Sequence, residues 1–198
     1  MATPRSAAEF LENFPPDDPP PERLLRLMEF VLQQPYQQFS GAFALERWPY
    51  GRDSWMRGNA EAARRLVVFG QHEDNNSLYA FWRYDDRSVR ESPIVYLHTE
   101  GWDNRVLANN FDQFLALLTL DIDEIGTGCF DGEVVGNTSR NNEFLDWLYK
   151  EFEIVPPDNP QSILEAARDA HPDLQIWIDQ QTPLPPTPKP WWRRLLDC

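Results

Sequence analysis

The chain has 198 residues, 41% of them hydrophobic and 25% charged, which suits one ordinary domain with a sizeable core and excludes an apolar-poor disordered chain. Its 32 acidic and 18 basic side chains leave a formal net charge of -14. A field of that sign repels phosphate backbones and anionic headgroups, so nucleic acid and membrane surfaces are excluded as expected partners, while a basic protein would be attracted and oriented.

Cys129 and Cys198 are the two cysteines, and one of them lies in a C-terminal tail, so no disulfide framework is expected. Met1 to Phe14 carries acidic residues and no apolar stretch of signal-peptide length, and nowhere do about eighteen apolar residues run together. A cytoplasmic location is the expectation.

The stretch Pro-Pro-Asp-Asp-Pro-Pro-Pro at 15–21 cannot be helical, because each proline fixes its own φ and pushes its predecessor out of the helical region. Residues 1–21 are therefore read as a Pro-rich extension to a single α+β domain at 22–181. From Glu22, Leu24, Leu25, Leu27, Met28, Val31 and Leu32 recur at helical spacing and predict a helix ending near Pro35. Trp48, Tyr50 and Trp55 among Gly41, Pro49, Gly51 and Gly58 suggest aromatic-anchored loops before a short helix near Asn59 to Arg65.

Three runs rich in β-branched and aromatic residues follow, Leu66 to Phe69, Ser77 to Tyr84 and Ile94 to His98, and polar turn residues separate them. They read as consecutive antiparallel strands. In the middle one Leu78, Ala80, Trp82 and Tyr84 face one way while Tyr79, Phe81 and Arg83 face the other. Both faces are substantially apolar, so helices or loops are expected to cover each. Asn110, with Gln113 in the capping-box position, opens a helix whose stripe is Phe111, Phe114, Leu115 and Leu118.

Gly126, Gly128, Gly132 and Gly136 among acids mark a loop or a short hairpin around Glu133 to Val135. A helical C-terminal part is expected over 141–171. Phe144, Leu145, Leu148 and Phe152 line its first helix; Asn159-Pro160 start a second, with Ile163, Ala166, Ala167 and Ala170 on one side, and His171-Pro172 stop it. Leu174 to Ile178 is a short apolar element of either type. The Pro/Trp-rich tail at 182–198 is compatible with a polyproline ligand or a small docking helix.

The order over residues 66–120 resembles the SUKH superfamily, which includes the Smi/Knr-type yeast cell-wall regulators and many bacterial toxin-immunity proteins. The residues that carry the resemblance are an apolar strand ending in Phe69-Gly70, the strand Ser77 to Tyr84, the run Pro93 to Gly101 with Glu100-Gly101, and the Phe111-x-x-Phe114-Leu115 helix. The resemblance implies an α+β fold whose curved antiparallel sheet, with at least three central strands flanked by several helices, presents a surface to other proteins. It implies no cofactor. It also implies an immunity protein that binds and neutralises a cognate bacterial toxin, with a housekeeping scaffold or regulatory module of the same fold as the alternative.

Catalytic chemistry has no marked signature here. His72, His98 and His171 are separated by whole elements, without the spacing of helical metal ligands, and no metal site is expected. Asp121, Asp123 and Glu124 lack the glycine and terminal glutamate of a calcium loop, so a solvated acidic face is the simpler reading. The glycines around Cys129 have neither a P-loop lysine nor the dinucleotide fingerprint, and Cys129 has no identifiable base, so a small hydrolase is the least favoured reading. The expected partner-binding residues lie in the strand connections: Glu73, Asp74, Asp85, Asp86, Glu91, Glu100 and Asp103, with Trp102 as an aromatic anchor inside a charged rim.

Overall fold

A computed structural model of the chain describes residues 4–34, 39–40, 43–52, 55–72, 75–122, 125 and 139–182. Glu73, Asp74, Asp123, Glu124, the glycine-rich stretch with Cys129, the hairpin expected around Glu133 to Val135, and the tail from 183 onward lie outside them.

The described elements are α1 (Ala7–Leu11), α2 (Glu22–Gln33), β1 (Phe43–Leu45), α3 (Ala60–Ala63), β2 (Leu66–His72), β3 (Leu78–Trp82), a 3-10 turn (Val89–Glu91), β4 (Ile94–Leu97), β5 (Arg105–Ala108), α4 (Phe111–Leu118), α5 (Ser139–Phe152), α6 (Pro160–Ala170) and α7 (Leu174–Gln181). The five strands form one open, curved antiparallel sheet in sequence order, an α+β arrangement in which each strand pairs with the next. The three expected strands are its centre, and β1 and β5, which the sequence pattern did not mark, are its edges. Register is set by pairs such as Leu78↔Leu97 and Phe81↔Ile94, so one end of the sheet carries the β2–β3 and β4–β5 connections and the other carries the β3–β4 connection.

Alternation along β3 feeds two cores. Tyr79 and Phe81 join Phe43, Phe69, Phe111 and Phe114 on the side covered by α2 and α4. Leu78, Ala80 and Trp82 join Val68, Val95, Leu97 and Val106 on the other side, beneath Trp48, Ala167 and the α7 residues Leu174 and Ile178. Each large apolar side chain taken fully out of water contributes about 1.5–3 kcal/mol, so neither face could stay bare.

The segment read as an extension supplies part of the first core. Phe10 is fully buried and Phe14 nearly so, with the Phe14 ring 6.4 Å from Phe81. Asn13 fastens this segment to the chain after β1: its Nδ2 donates to the Glu46 carbonyl (2.6 Å), and its Oδ1 accepts from the Trp48 N–H (2.7 Å). Pro15, Pro20 and Pro21 are buried, which costs little because proline has no N–H to leave unpaired.

Capping follows the sequence closely. Asn110 Oδ1 accepts from the Gln113 N–H (3.0 Å), while Gln113 Oε1 reaches back one residue beyond the cap, to the Asn109 N–H (2.9 Å). Asn159 caps α6 with Pro160 in the first turn, and His171 ends it. The buried stripe of α6 differs from the expected one: Leu164 and Ala167 are buried and Ile163 is half-buried, whereas Ala166 and Ala170 face solvent. Packing along β5 turns the helix so that Leu164 and Ala167 meet the sheet.

Candidate interaction surface

The β4–β5 loop is built around Asn104. Its Oδ1 accepts from the His98 N–H (3.0 Å), and its Nδ2 donates to the Gly101 carbonyl (3.2 Å) and to Gln175 Oε1 on α7 (2.8 Å). Gly101 has a positive φ of 76° and donates its N–H to the His98 carbonyl (2.8 Å), closing a tight turn that a side chain would strain. One asparagine thus fixes both the turn and its distance from the last helix.

Trp102 stands on this frame. It is 66% exposed, yet its indole N–H donates to Glu100 Oε2 (2.6 Å) and its ring lies 4.8 Å from that of His98. His98 is oriented in turn by the Glu100 N–H, which donates to Nδ1 (3.2 Å). Asp103 pairs with Arg105 through Nε (2.8 Å) and Nη2, and this pairing holds its carboxyl below the usual carboxylate range, with His98 adding to the effect. The neighbouring β2–β3 turn is tied to the same end: Thr99 N–H donates to Ser77 Oγ (3.1 Å) and Asn75 Nδ2 to the Tyr96 hydroxyl (3.0 Å). Glu73 and Asp74, between His72 and Asn75, lie outside the described residues.

Asp85, Asp86 and Glu91 belong to the other end of the sheet, about 14 Å away along β3 at a rise of ~3.4 Å per residue. The structure therefore divides the sequence-derived residues into two groups. Asp85 is gripped by Arg87 through two contacts of 2.6 Å, which hold its carboxyl at about 2. Asp86 lies 3.8 Å from Arg65, and Glu91 closes a capping box with Ser88 across the 3-10 turn. Arg83 joins Asp18 at 3.4 Å on the same side. This end is a lattice of arginines and carboxylates that organise their own loop.

Arg87 continues into a network that sequence spacing could not disclose. Its Nη2 donates to the Tyr84 hydroxyl (2.6 Å), which lies 3.2 Å from His171 Nδ1, while His171 Nε2 meets Asn109 Oδ1 at 3.0 Å. Burial and, after it, the Arg87 charge push His171 below its ordinary pKa, so the neutral imidazole accepts from Tyr84 and donates to Asn109. Ile176, 57% exposed on α7 beside Gln175, is marked by no sequence pattern; it comes from some 70 residues farther along the chain than Trp102, and the Asn104–Gln175 bond, with Leu174 and Ile178 packed against the sheet, ties the two segments together.

Among the described residues no three His, Cys, Asp or Glu side chains are grouped to hold a metal ion, and no helix is long and apolar enough to cross a membrane. Comparison with protein-family models, with curated proteins and with solved structures finds no match to the chain.

Proposed function

We propose that this protein acts by binding another protein, without catalysis, and that the β4–β5 loop is the contact surface with Trp102 as its anchor. The observation that supports this reading is an exposed tryptophan held in one orientation by Glu100 and His98. A large amphipathic side chain already ordered outside the core loses little conformational freedom on contact, and tryptophan is enriched among the residues that dominate binding energy. The sheet faces are occupied by the protein's own helices, which leaves loop ends for a partner. Ile176, exposed on α7 next to the Gln175 that Asn104 ties to this loop, offers further apolar area on the adjoining segment.

The net charge of -14 favours a basic partner. The SUKH resemblance makes that partner a bacterial toxin domain and this chain its immunity protein, acting in the cytoplasm by occupying the toxin. Native pull-down with mass spectrometry, followed by co-expression with the recovered partner, tests the reading. Recovery of a toxin domain and restored growth are expected, and Trp102→Ala should weaken binding by about thirtyfold or more, as for a residue worth at least ~2 kcal/mol. Recovery of housekeeping proteins alone would replace the immunity role with a scaffold role, and wild-type affinity in Trp102→Ala would remove this surface.

A further inference from the structure

Beside α1 the surface opens into a groove of about 710 Å³ whose walls are Leu11, Phe14, Pro16, Pro19, Pro49 and Tyr50. Proline rings present flat hydrocarbon faces and no N–H, so their share of this groove is apolar area without donors. Leu11 at its mouth is 43% exposed, a large aliphatic side chain with no core to enter. Glu12 lines it and pairs with Arg47 at 2.6 Å, and Glu9 and Asp17 add negative charge on the same segment.

We infer that this groove is the docking site for the chain's own Trp191 to Leu196 segment. Position is the first argument. The Gln181 carbonyl, at the end of α7, accepts from Asn59 Nδ2 (2.8 Å), and Asn59 caps α3. Arg64, just past α3, lies against Gly51, where a Cβ would be 3.2 Å from the Arg64 Cγ, and the adjoining Tyr50 forms the groove wall. Asn59 to Arg64 spans about 7.5 Å at a helical rise of ~1.5 Å. Eight residues separate Thr182 from Trp191, and a chain of that length can reach about 25 Å at ~3.1 Å per residue. Trp191 therefore comes within reach of the groove.

Composition is the second argument. Residues 183–198 hold Lys189, Arg193 and Arg194 against the single acid Asp197, in a chain that is otherwise strongly negative. Within six residues they also carry Trp191, Trp192, Leu195 and Leu196. Indole rings stack on proline faces, and the two arginines then meet the acids of the α1 segment. The same stretch supplies both the apolar and the charge complement of the groove.

The test uses the full chain. Trypsin cleavage after Arg193 and Arg194 is followed by mass spectrometry in wild type, Leu11→Lys and the conservative Leu11→Met, with circular dichroism and thermal melting as folding controls. Because cleavage tracks the undocked population, it should be about tenfold faster in Leu11→Lys than in wild type or Leu11→Met, at rates independent of protein concentration. Equal rates in all three chains would overturn the inference, and so would protection that grows with concentration, since that gives the groove to a second copy. Hydrogen exchange over residues 8–20 provides a reading that does not depend on Leu11. It should rise when Trp191 and Trp192 are both changed to alanine, and unchanged exchange would also overturn the inference.

Discussion

Gly70→Ala should destabilise the fold through a single ring. A Cβ at Gly70 would stand 2.5 Å from Phe43 Cε2, 3.0 Å from its Cζ and 3.1 Å from the Ala44 carbonyl oxygen. Carbon atoms pack at about 3.5–4.0 Å, so the ring would have to retreat by roughly 1 Å. It has nowhere to go. Phe43 is 2% exposed, and the rings of Tyr79, Phe114 and Phe39 have centroids 5.3, 5.6 and 5.8 Å from its own. The Ala44 backbone is held as well, by the β1–β2 pairing that places Leu45 opposite Gly70.

Overpacking of this kind costs about 1–3 kcal/mol, while alanine in an unstrained backbone recovers about 0.4–1 kcal/mol from the unfolded state. The net expectation is a loss of about 1–2 kcal/mol, or roughly 3–7 °C in Tm for a chain of this size. Urea denaturation should show a lower midpoint with an unchanged slope. Phe43→Leu, which removes the outer ring atoms, should restore part of the loss in the Gly70→Ala background, with a coupling of about 0.5–3 kcal/mol. Wild-type stability in Gly70→Ala, or strict additivity with Phe43→Leu, would refute the steric argument.

Asp85 should titrate at about 2 by NMR, and Arg87→Gln should return it to near 3.8. Its stabilising effect is present above the unfolded value and lost as pH falls towards 2; with the carboxylate half exposed, solvent screening keeps it below about 1 kcal/mol. His171 should titrate below 6.5, so the unfolded chain takes up the proton first and stability falls as pH drops through the depressed native value. Tyr84→Phe removes the donor to Nδ1 and should raise that value; a wild-type imidazole titrating at or above 6.5 would contradict the network. Asn110→Ala should cost about 1 kcal/mol in urea unfolding through loss of the α4 cap, and no change would mean that the Gln113 N–H finds water equally well.

What could be read from the sequence was whatever chemistry is local. The β3 alternation predicts two covered faces, and both cores are there. Asn110 and Asn159 mark helix starts because a cap needs only residues two or three positions away. The edge strands leave no mark in the sequence because three or four residues carry no usable period: Phe43–Leu45 is a strand by virtue of pairing with β2 at Gly70, and Arg105–Ala108 reads as the approach to α4 until Val95 pairs with Val106. The proline run reads as a boundary by a sound rule about helices. That rule says nothing of burial, and Phe10 within α1 and Phe14 just past it carry the segment into the core.

The candidate surface shows how far a net charge can mislead about place. Sixteen of the 18 basic side chains are arginine, whose planar fork favours fixed two-point pairing with carboxylates. Two pairs follow one local pattern, an aspartate two residues before an arginine: Asp85 with Arg87 and Asp103 with Arg105. Carboxylates held in this way organise loops and present a smaller field to a partner than their number suggests. Glu100 is spent differently, since its oxygen fixes an exposed indole. The acid-x-arginine spacing was open to view in the sequence and marks carboxylates occupied at home. Under the proposed function, the tryptophan between the two strands, rather than the acids around it, is then the feature expected to set the strength of a contact at this end of the sheet.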